Sequence, residues 1–228
     1  MTESKLWYLK RCDLFERLST EDAARLEDRA TSRVFRRGEI IYLPGDPSHW
    51  VMVVARGRVK LKALTADGKE TILAFIEEGE VFGELAIVDD APRDEFAEAA
   101  MPTEIVAVPR NEILRLLEIR PDAALRMTKL VGLRRRRIET RLRNLLFRDN
   151  RHRVASLLLE LLETHGERAG NEWRIRLPLS HQDLAGLVGS TRESVTIALG
   201  RLQLDGFIRV RRRRITVLDR ERLMVEVE

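Results

Sequence analysis

The chain has 228 residues, with 41 Lys and Arg against 37 Asp and Glu, a formal net charge of +4, and one cysteine, Cys12. That length has room for two domains, each with its own core, and a single cysteine excludes both a disulfide framework and a zinc or iron–sulfur site ligated by cysteines of this chain alone. No apolar run approaches the roughly 20 residues that span a bilayer and no charged-then-apolar leader opens the chain, so the expectation is a soluble cytoplasmic protein with no membrane partner.

The net charge conceals a division. Residues 1–133 carry 20 Lys/Arg and 24 Asp/Glu, whereas residues 134–228 carry 21 and 13. An acidic half followed by a basic half is the pattern expected when only one end meets phosphate.

From about Val34 to Val108 the chain reads as short strands separated by turns. Examples are Gly38–Leu43, Trp50–Val54, Gly57–Lys62 and Thr71–Ile76, with turns at Pro44–Pro47 and at Asp67-Gly68. Even spacing with Gly punctuation predicts an antiparallel sandwich or barrel ended by Pro109. A short helix over Glu112–Leu117 stops before Pro121. A long helix is then predicted from Asp122 to about Phe147, whose apolar positions Leu125, Leu130, Leu133, Ile138, Leu142 and Leu145 line one seam. At about 26 residues it spans roughly 39 Å. Such a rod calls for a partner, most simply the same helix of a second subunit, although its first two turns can lie over the chain's own sandwich. Arg134, Arg135, Arg136 and Arg137 point about 100° apart, so they cannot all face solvent. At least one must approach the seam or the base of the sandwich, where Glu139 is an available acidic partner; the alternative is an anionic effector held between subunits.

After Asp149 the pattern restarts with an apolar helix over Arg153–Leu162, a polar loop over His165–Asn171 and a strand over Trp173–Leu177. Residues 180–207 then spell a helix-turn-helix. Ser180 and Asp183 open a first helix, Gly189 breaks it, and Ser190 with Glu193 is the predicted start of a second. Val195, Ala198, Leu199 and Leu202 recur at i, i+3, i+4, i+7, one buried helical face. Two short helices joined by about three residues with a Gly hold the second helix against a duplex. Phe207–Val210 and Ile215–Leu218 flank Arg211–Arg214 as a hairpin, completing a winged helix with arginines where the wing turns. The expected DNA-binding residues are Ser180, His181 and Gln182 on the first helix; Thr191, Arg192, Glu193, Thr196 and Arg201 on the second; and Arg211, Arg212 and Arg213 on the wing. Arg grips guanine through two bonds, Glu accepts from the cytosine amino group, and wing arginines suit phosphate. On the competing reading Glu193 only closes a capping box and Arg192 is solvated. No Ser/His/Asp grouping, metal-ligand spacing or phosphate-cradling glycine loop points to an enzyme.

Three segments together resemble the CRP/FNR family of bacterial transcription regulators, over nearly the whole chain. Val81-Phe82-Gly83-Glu84-Leu85-Ala86 followed by Arg93 is similar to its cyclic-nucleotide cassette, Pro121-Asp122 to the opening of its dimer helix, and Ser190-Thr191-Arg192-Glu193-Ser194-Val195 to its recognition-helix signature. The resemblance implies an α+β chain: an N-terminal antiparallel β-roll, jelly-roll-like, over 1–120, a central dimerisation helix over 121–148, and a C-terminal winged helix-turn-helix over 149–228. It implies a homodimer on double-stranded DNA at palindromic half-sites like TGTGA, an activator's contact with RNA polymerase through the His165–Asn171 loop, and an effector pocket drawn from Gly83, Glu84, Leu85, Ala86, Arg93, Ile138 and Glu139.

The departures matter more. In the cAMP-binding members the arginine is followed by Ser and Ala, and Arg and Ser hold the cyclic phosphate; here Arg93 is followed by Asp94 and Glu95, which repel it. Where those members offer Thr-Ser to the adenine, this chain has Ile138 and Glu139. Glu84 and Arg93 can instead pair with each other. These features argue against cAMP. FNR-type sensing needs a cysteine cluster, and of the four histidines only His49 lies in the effector region, which argues against iron–sulfur and haem cofactors. Cys12 is either structural or a redox thiol, and control by abundance without an effector is a further reading. Where relatives place a second arginine, one turn after the first, this chain has Ile197. The reading from another class is an architectural protein that binds nucleic acid without sequence choice, which would not need Arg192 and Glu193.

Overall fold

The computed structural model describes residues 5–10, 12, 14–15, 18–64, 70–89, 91–170 and 172–227. The expected turn at Asp67-Gly68 lies outside them. The chain divides into two compact units, residues 1–134 and 135–228.

The first unit opens with helices α1 (Lys5–Lys10) and α2 (Thr20–Arg29), the second capped by Ser19, whose Oγ accepts from Asp22 N at 3.1 Å. Strands follow: β1 (Thr31–Phe35), β2 (Ile40–Tyr42), β3 (Trp50–Arg56), β4 (Val59–Leu64), β5 (Glu70–Ile76) and β6 (Val81–Phe82). After a 3-10 turn at Glu84–Ile87 come β7 (Phe96–Ala99) and β8 (Thr103–Pro109), then α3 (Arg110–Ile119) and the long α4 (Pro121–Phe147). The strands form two four-stranded antiparallel sheets, β1-β8-β3-β6 and β2-β7-β4-β5. Met52, Val54, Ile105 and Ala107 of the first sheet meet Tyr42, Leu61, Ile76 and Ala97 of the second. The other face of the first sheet, through Val51, Val53, Val106 and Val108, packs on Leu9, Phe15, Leu26, Ile113 and Leu116. Burial on both faces is why β3 and β8 read as continuous apolar runs rather than as alternating ones. Cys12 is buried in that second core.

Helix α4 has two characters. Ala123 and Met127 are buried against the first unit, with Leu130 partly so. Leu125, Leu133, Ile138, Leu142 and Leu145 are about half exposed, forming the seam expected of a helix with a partner.

The second unit holds α5 (Asn150–His165), β9 (Gly166–Ala169), β10 (Glu172–Ile175), α6 (His181–Val188), α7 (Arg192–Leu204), β11 (Ile208–Arg211), β12 (Arg214–Val217) and α8 (Arg220–Val225). One antiparallel sheet runs β11-β12-β10-β9. The polar loop expected from His165 is corrected: His165 ends α5, and Gly166–Ala169 pairs with β10. Its polar sequence belongs to an edge strand whose side chains stay in water. The core gathers Leu158 and Leu162 of α5, Leu184 and Leu187 of α6, Val195, Leu199 and Leu202 of α7, and Ile215 and Val217 of the wing. No helix among the described residues is long and apolar enough to cross a membrane.

Candidate nucleic-acid interface and effector cradle

Ser180 caps α6 in a full capping box: its Oγ accepts from Asp183 N at 3.1 Å, and Asp183 Oδ2 accepts from Ser180 N at 3.0 Å. Gly189 ends the helix at φ 63°, in the left-handed region that glycine enters without strain. The cap of α7 differs from the expected one. Thr191, not Ser190, is the N-cap, with Oγ1 accepting from Ser194 N at 3.2 Å. The one-residue shift moves Glu193 out of the capping-box position, so it is free of the role that competed with DNA contact.

Arg192 and Glu193 therefore stand side by side on the first exposed turn of α7, with no hydrogen-bond or ion-pair partner for either side chain among the described residues. Thr196, Ile197 and Arg201 continue that exposed stripe, while Val195, Ala198, Leu199 and Leu202 are buried behind it. Thr196 Oγ1 donates to Arg192 O at 2.8 Å and lies 2.8 Å from His181 Nδ1, tying the two helices together. From behind, Asn150 Nδ2 donates to Ser194 O at 2.8 Å and Arg153 Nη1 to Val188 O at 3.3 Å. Gln182 is exposed on the first turn of α6.

The wing turns on two residues. Arg212 and Arg213 sit at φ 44° and 66°, with Arg211 and Arg214 paired directly across the strands. Positive φ at both central positions is the geometry for which Asn-Gly is the favoured sequence, and a non-glycine residue there is strained. Arg213 O accepts from Leu179 N at 3.1 Å, bracing the wing tip against the segment that leads into α6. Arg211, Arg212 and Arg213 are all exposed.

In the first unit Gly83 adopts φ 67°, a left-handed backbone that strains other residues, and a Cβ built on it would lie 2.6 Å from Arg93 Nη1, so a side chain there would displace the guanidinium. Arg93 is buried. It donates from Nη1 to Gly83 O at 2.9 Å and from Nη2 to Trp50 O, and its guanidinium stacks 4.6 Å from the Tyr42 ring. Burial lowers its pKa from the ordinary arginine value. The pairing of Glu84 with Arg93 does not form. Glu84 goes to Arg134 instead: Arg134 Nη1 lies 2.5 Å from Glu84 Oε2 as an ion pair rather than an aligned hydrogen bond, and Nη2 donates to Val81 O. Of the four consecutive arginines, Arg134 is thus the one that reaches the roll, and Arg135 pairs with Glu139 one turn on at 2.7 Å. Glu95 accepts from Tyr42 Oη at 2.7 Å; burial pushes its carboxyl above the usual carboxylate range against the opposing pull of that bond. The Tyr42 phenol is raised by burial and then by the Glu95 charge. Asp94 is exposed, Leu85 is half exposed and Ala86 is buried. Ile138 and Glu139 lie in the second unit, both exposed.

A β-roll followed by a long helix and a winged helix-turn-helix, with an Arg-Glu pair free on the recognition helix, defines a DNA-binding transcription regulator. The model for the cyclic nucleotide-binding domain matches residues 32–120, and that for the Crp-like helix-turn-helix domain residues 152–225. The global nitrogen regulator of Synechocystis sp. is 36% identical over 185 residues, covering 80% of this chain and 82% of its own. The cyclic AMP receptor protein of Thermus thermophilus is 32% identical over 202 residues, covering 89% and 90%. A solved CRP/FNR-family transcriptional regulator from the same organism superposes with a TM-score of 0.67 at 32% identity, covering 86% of this chain and 98% of its own. The chain belongs to the CRP/FNR family of transcription regulators, whose members are not enzymes.

Proposed function

We propose that the protein is a cytoplasmic, sequence-specific regulator that binds palindromic operators as a homodimer without cAMP, with residues 1–120 as effector domain, 121–148 as dimerisation helix and 149–228 as DNA-binding domain. The observation that carries the reading is the Arg192–Glu193 pair, exposed and uncommitted at the start of α7. Arg192 bonds a guanine and Glu193 the cytosine of a nearby pair, giving TGTGA-like half-sites about one helical turn apart. Ile197, exposed in line with them, offers only apolar contact, such as with a thymine methyl, so preference at that step is relaxed. The half-exposed seam of α4 supports the dimer. Activation is assigned, on the family resemblance, to contact between RNA polymerase and the β9–β10 hairpin.

Independence from cAMP rests on the cradle. Glu84 is held by Arg134, and two N–H groups of Arg93 are committed to carbonyls. A phosphate brought to Arg93 would also meet the Asp94 and Glu95 carboxyls, and Ile138 donates nothing to a base. A ligand without preference for the active state cannot shift the protein towards it. The test of specificity is selection from random duplex DNA. The protein should enrich one palindrome, and Arg192→Ala should lose about 1–3 kcal/mol on it and discriminate less at one base pair. Equal loss on selected and random DNA overturns the base-reading role.

A further inference from the structure

Beside its two polar readers, helix α7 exposes a pair of side chains whose chemistry Arg192 and Glu193 do not use. At about 100° per residue, Thr196 stands about 40° and Ile197 about 140° round the helix from Arg192, with Glu193 between them at about 100°. Residues three and four apart on a helix are surface neighbours, with Cβ atoms about 5–6 Å apart, so Thr196 and Ile197 both flank Glu193. Both are exposed, Ile197 by 58%, while Val195, Ala198, Leu199 and Leu202 form the buried side.

Hydrogen bonding makes this pair more apolar than its sequence. Thr196 Oγ1 gives its proton to Arg192 O at 2.8 Å, so in its 2.8 Å contact with His181 Nδ1 the imidazole is the donor. A hydroxyl carries one proton, and this one has none left for a base. Thr196 therefore adds a methyl group to the exposed face, and Ile197 adds only carbon. Gly200, one turn beyond Thr196, is exposed on the same face, with open space where a Cβ would stand. Its own fold thus does not exclude a side chain there. A glycine weakens a helix interior, and its benefit here is to let the helix come close to the surface it meets.

In the major groove the apolar group that a base edge presents is the C5-methyl of thymine, and a methyl added to cytosine at C5 occupies the same place. C5 is the ring atom next to C4, which bears the amino group. A cytosine bonded by Glu193 through that amino group therefore brings its C5 edge towards the two side chains that flank the carboxylate. We propose that Thr196 and Ile197 form a receptor for the 5-methyl group of that cytosine, so that methylation of the operator at this base strengthens binding. The inference rests on the operator reading above and adds an input to it: the methylation state of the DNA. One buried methyl corresponds to a gain of about three- to fivefold per half-site.

The experiment is fluorescence anisotropy of the intact protein at fixed salt on its selected palindrome, with each cytosine replaced in turn by 5-methylcytosine and each thymine by deoxyuridine. The cytosine read by Glu193 is the one at which Glu193→Ala loses discrimination; if there is none, the operator reading itself falls. Methylation of that cytosine should tighten binding about three- to fivefold per half-site. Thr196→Ser keeps the hydroxyl and its two bonds but removes the methyl, and Ile197→Ala removes the apolar branch. Both stand on the surface, where such changes leave the fold intact. Together they should abolish the methylation response while discrimination at the Glu193 pair remains. An identified Glu193 cytosine whose methylation leaves binding unchanged or weaker overturns this proposal alone. So does a response to deoxyuridine with none to 5-methylcytosine, or a methylation response that survives in the double variant.

Discussion

Replacing Arg212-Arg213 by Asn-Gly at the wing tip should stabilise the fold and weaken DNA binding together. Left-handed backbone costs an L-residue about 1–2 kcal/mol, and both arginines adopt it, at φ 44° and 66°. Asn tolerates that region and Gly enters it without strain, but Gly gives back about 0.5–1 kcal/mol of chain entropy. The net gain is about 1–2 kcal/mol, and a unit of the size of residues 135–228 gains about 4–8 °C of Tm per kcal/mol. Relief of crowding near the facing Arg211 and Arg214 adds to this. The same change removes two exposed cations. If both meet phosphate, the slope of log K against log salt falls by about 1.8, and affinity at 0.15 M salt by about fivefold per contact. Scanning calorimetry reads the first effect and fluorescence anisotropy on operator DNA across a salt series reads the second. A lower Tm, or an unchanged salt slope, refutes the view that the strained turn is maintained for phosphate contact.

Glu95→Gln should raise Tm above neutral pH and leave it unchanged well below the usual carboxylate range. Burial raises the Glu95 pKa in the folded state, so its favourable contribution is present at low pH and lost as pH rises through the raised value; glutamine stays neutral throughout and can still accept from Tyr42. A Tm difference that grows as pH falls contradicts this. Leu142→Glu on the exposed seam of α4 should leave thermal unfolding of the isolated chain within about 0.5 kcal/mol while turning a dimer into a monomer in sedimentation. An unaltered dimer shows that the seam is not the interface.

The elements most legible in the sequence are those whose periodicity is set by one buried face. The α7 stripe of Val195, Ala198, Leu199 and Leu202 is buried as its spacing requires, and the wing hairpin falls where the apolar runs flank the arginines. The cap of α7 was harder to place because Ser190 and Thr191 are both good caps, and the left-handed Gly189 decides between them by setting where the chain re-enters a helix. Gly166–Ala169 carries no apolar alternation, since an edge strand in water needs none, and so it read as a loop. In the cradle, the Glu84–Arg134 pair escaped pairwise reading because it joins residues 50 apart. Its signal was present on α4, where Arg134 follows buried Met127 by seven residues and partly buried Leu130 by four. The Tyr42–Glu95 bond depends on how two sheets face each other, which no local pattern encodes.

The most direct test of the central claim is a quantitative footprint of the purified protein on its selected operator, run with and without millimolar cAMP. The account predicts the same protected half-sites and the same half-saturation concentration in both, set by Arg192 and Glu193 in a protein whose Glu84 is already held by Arg134. Protection that appears only with cAMP, or tightens markedly with it, contradicts the account and places the nucleotide in the cradle after all.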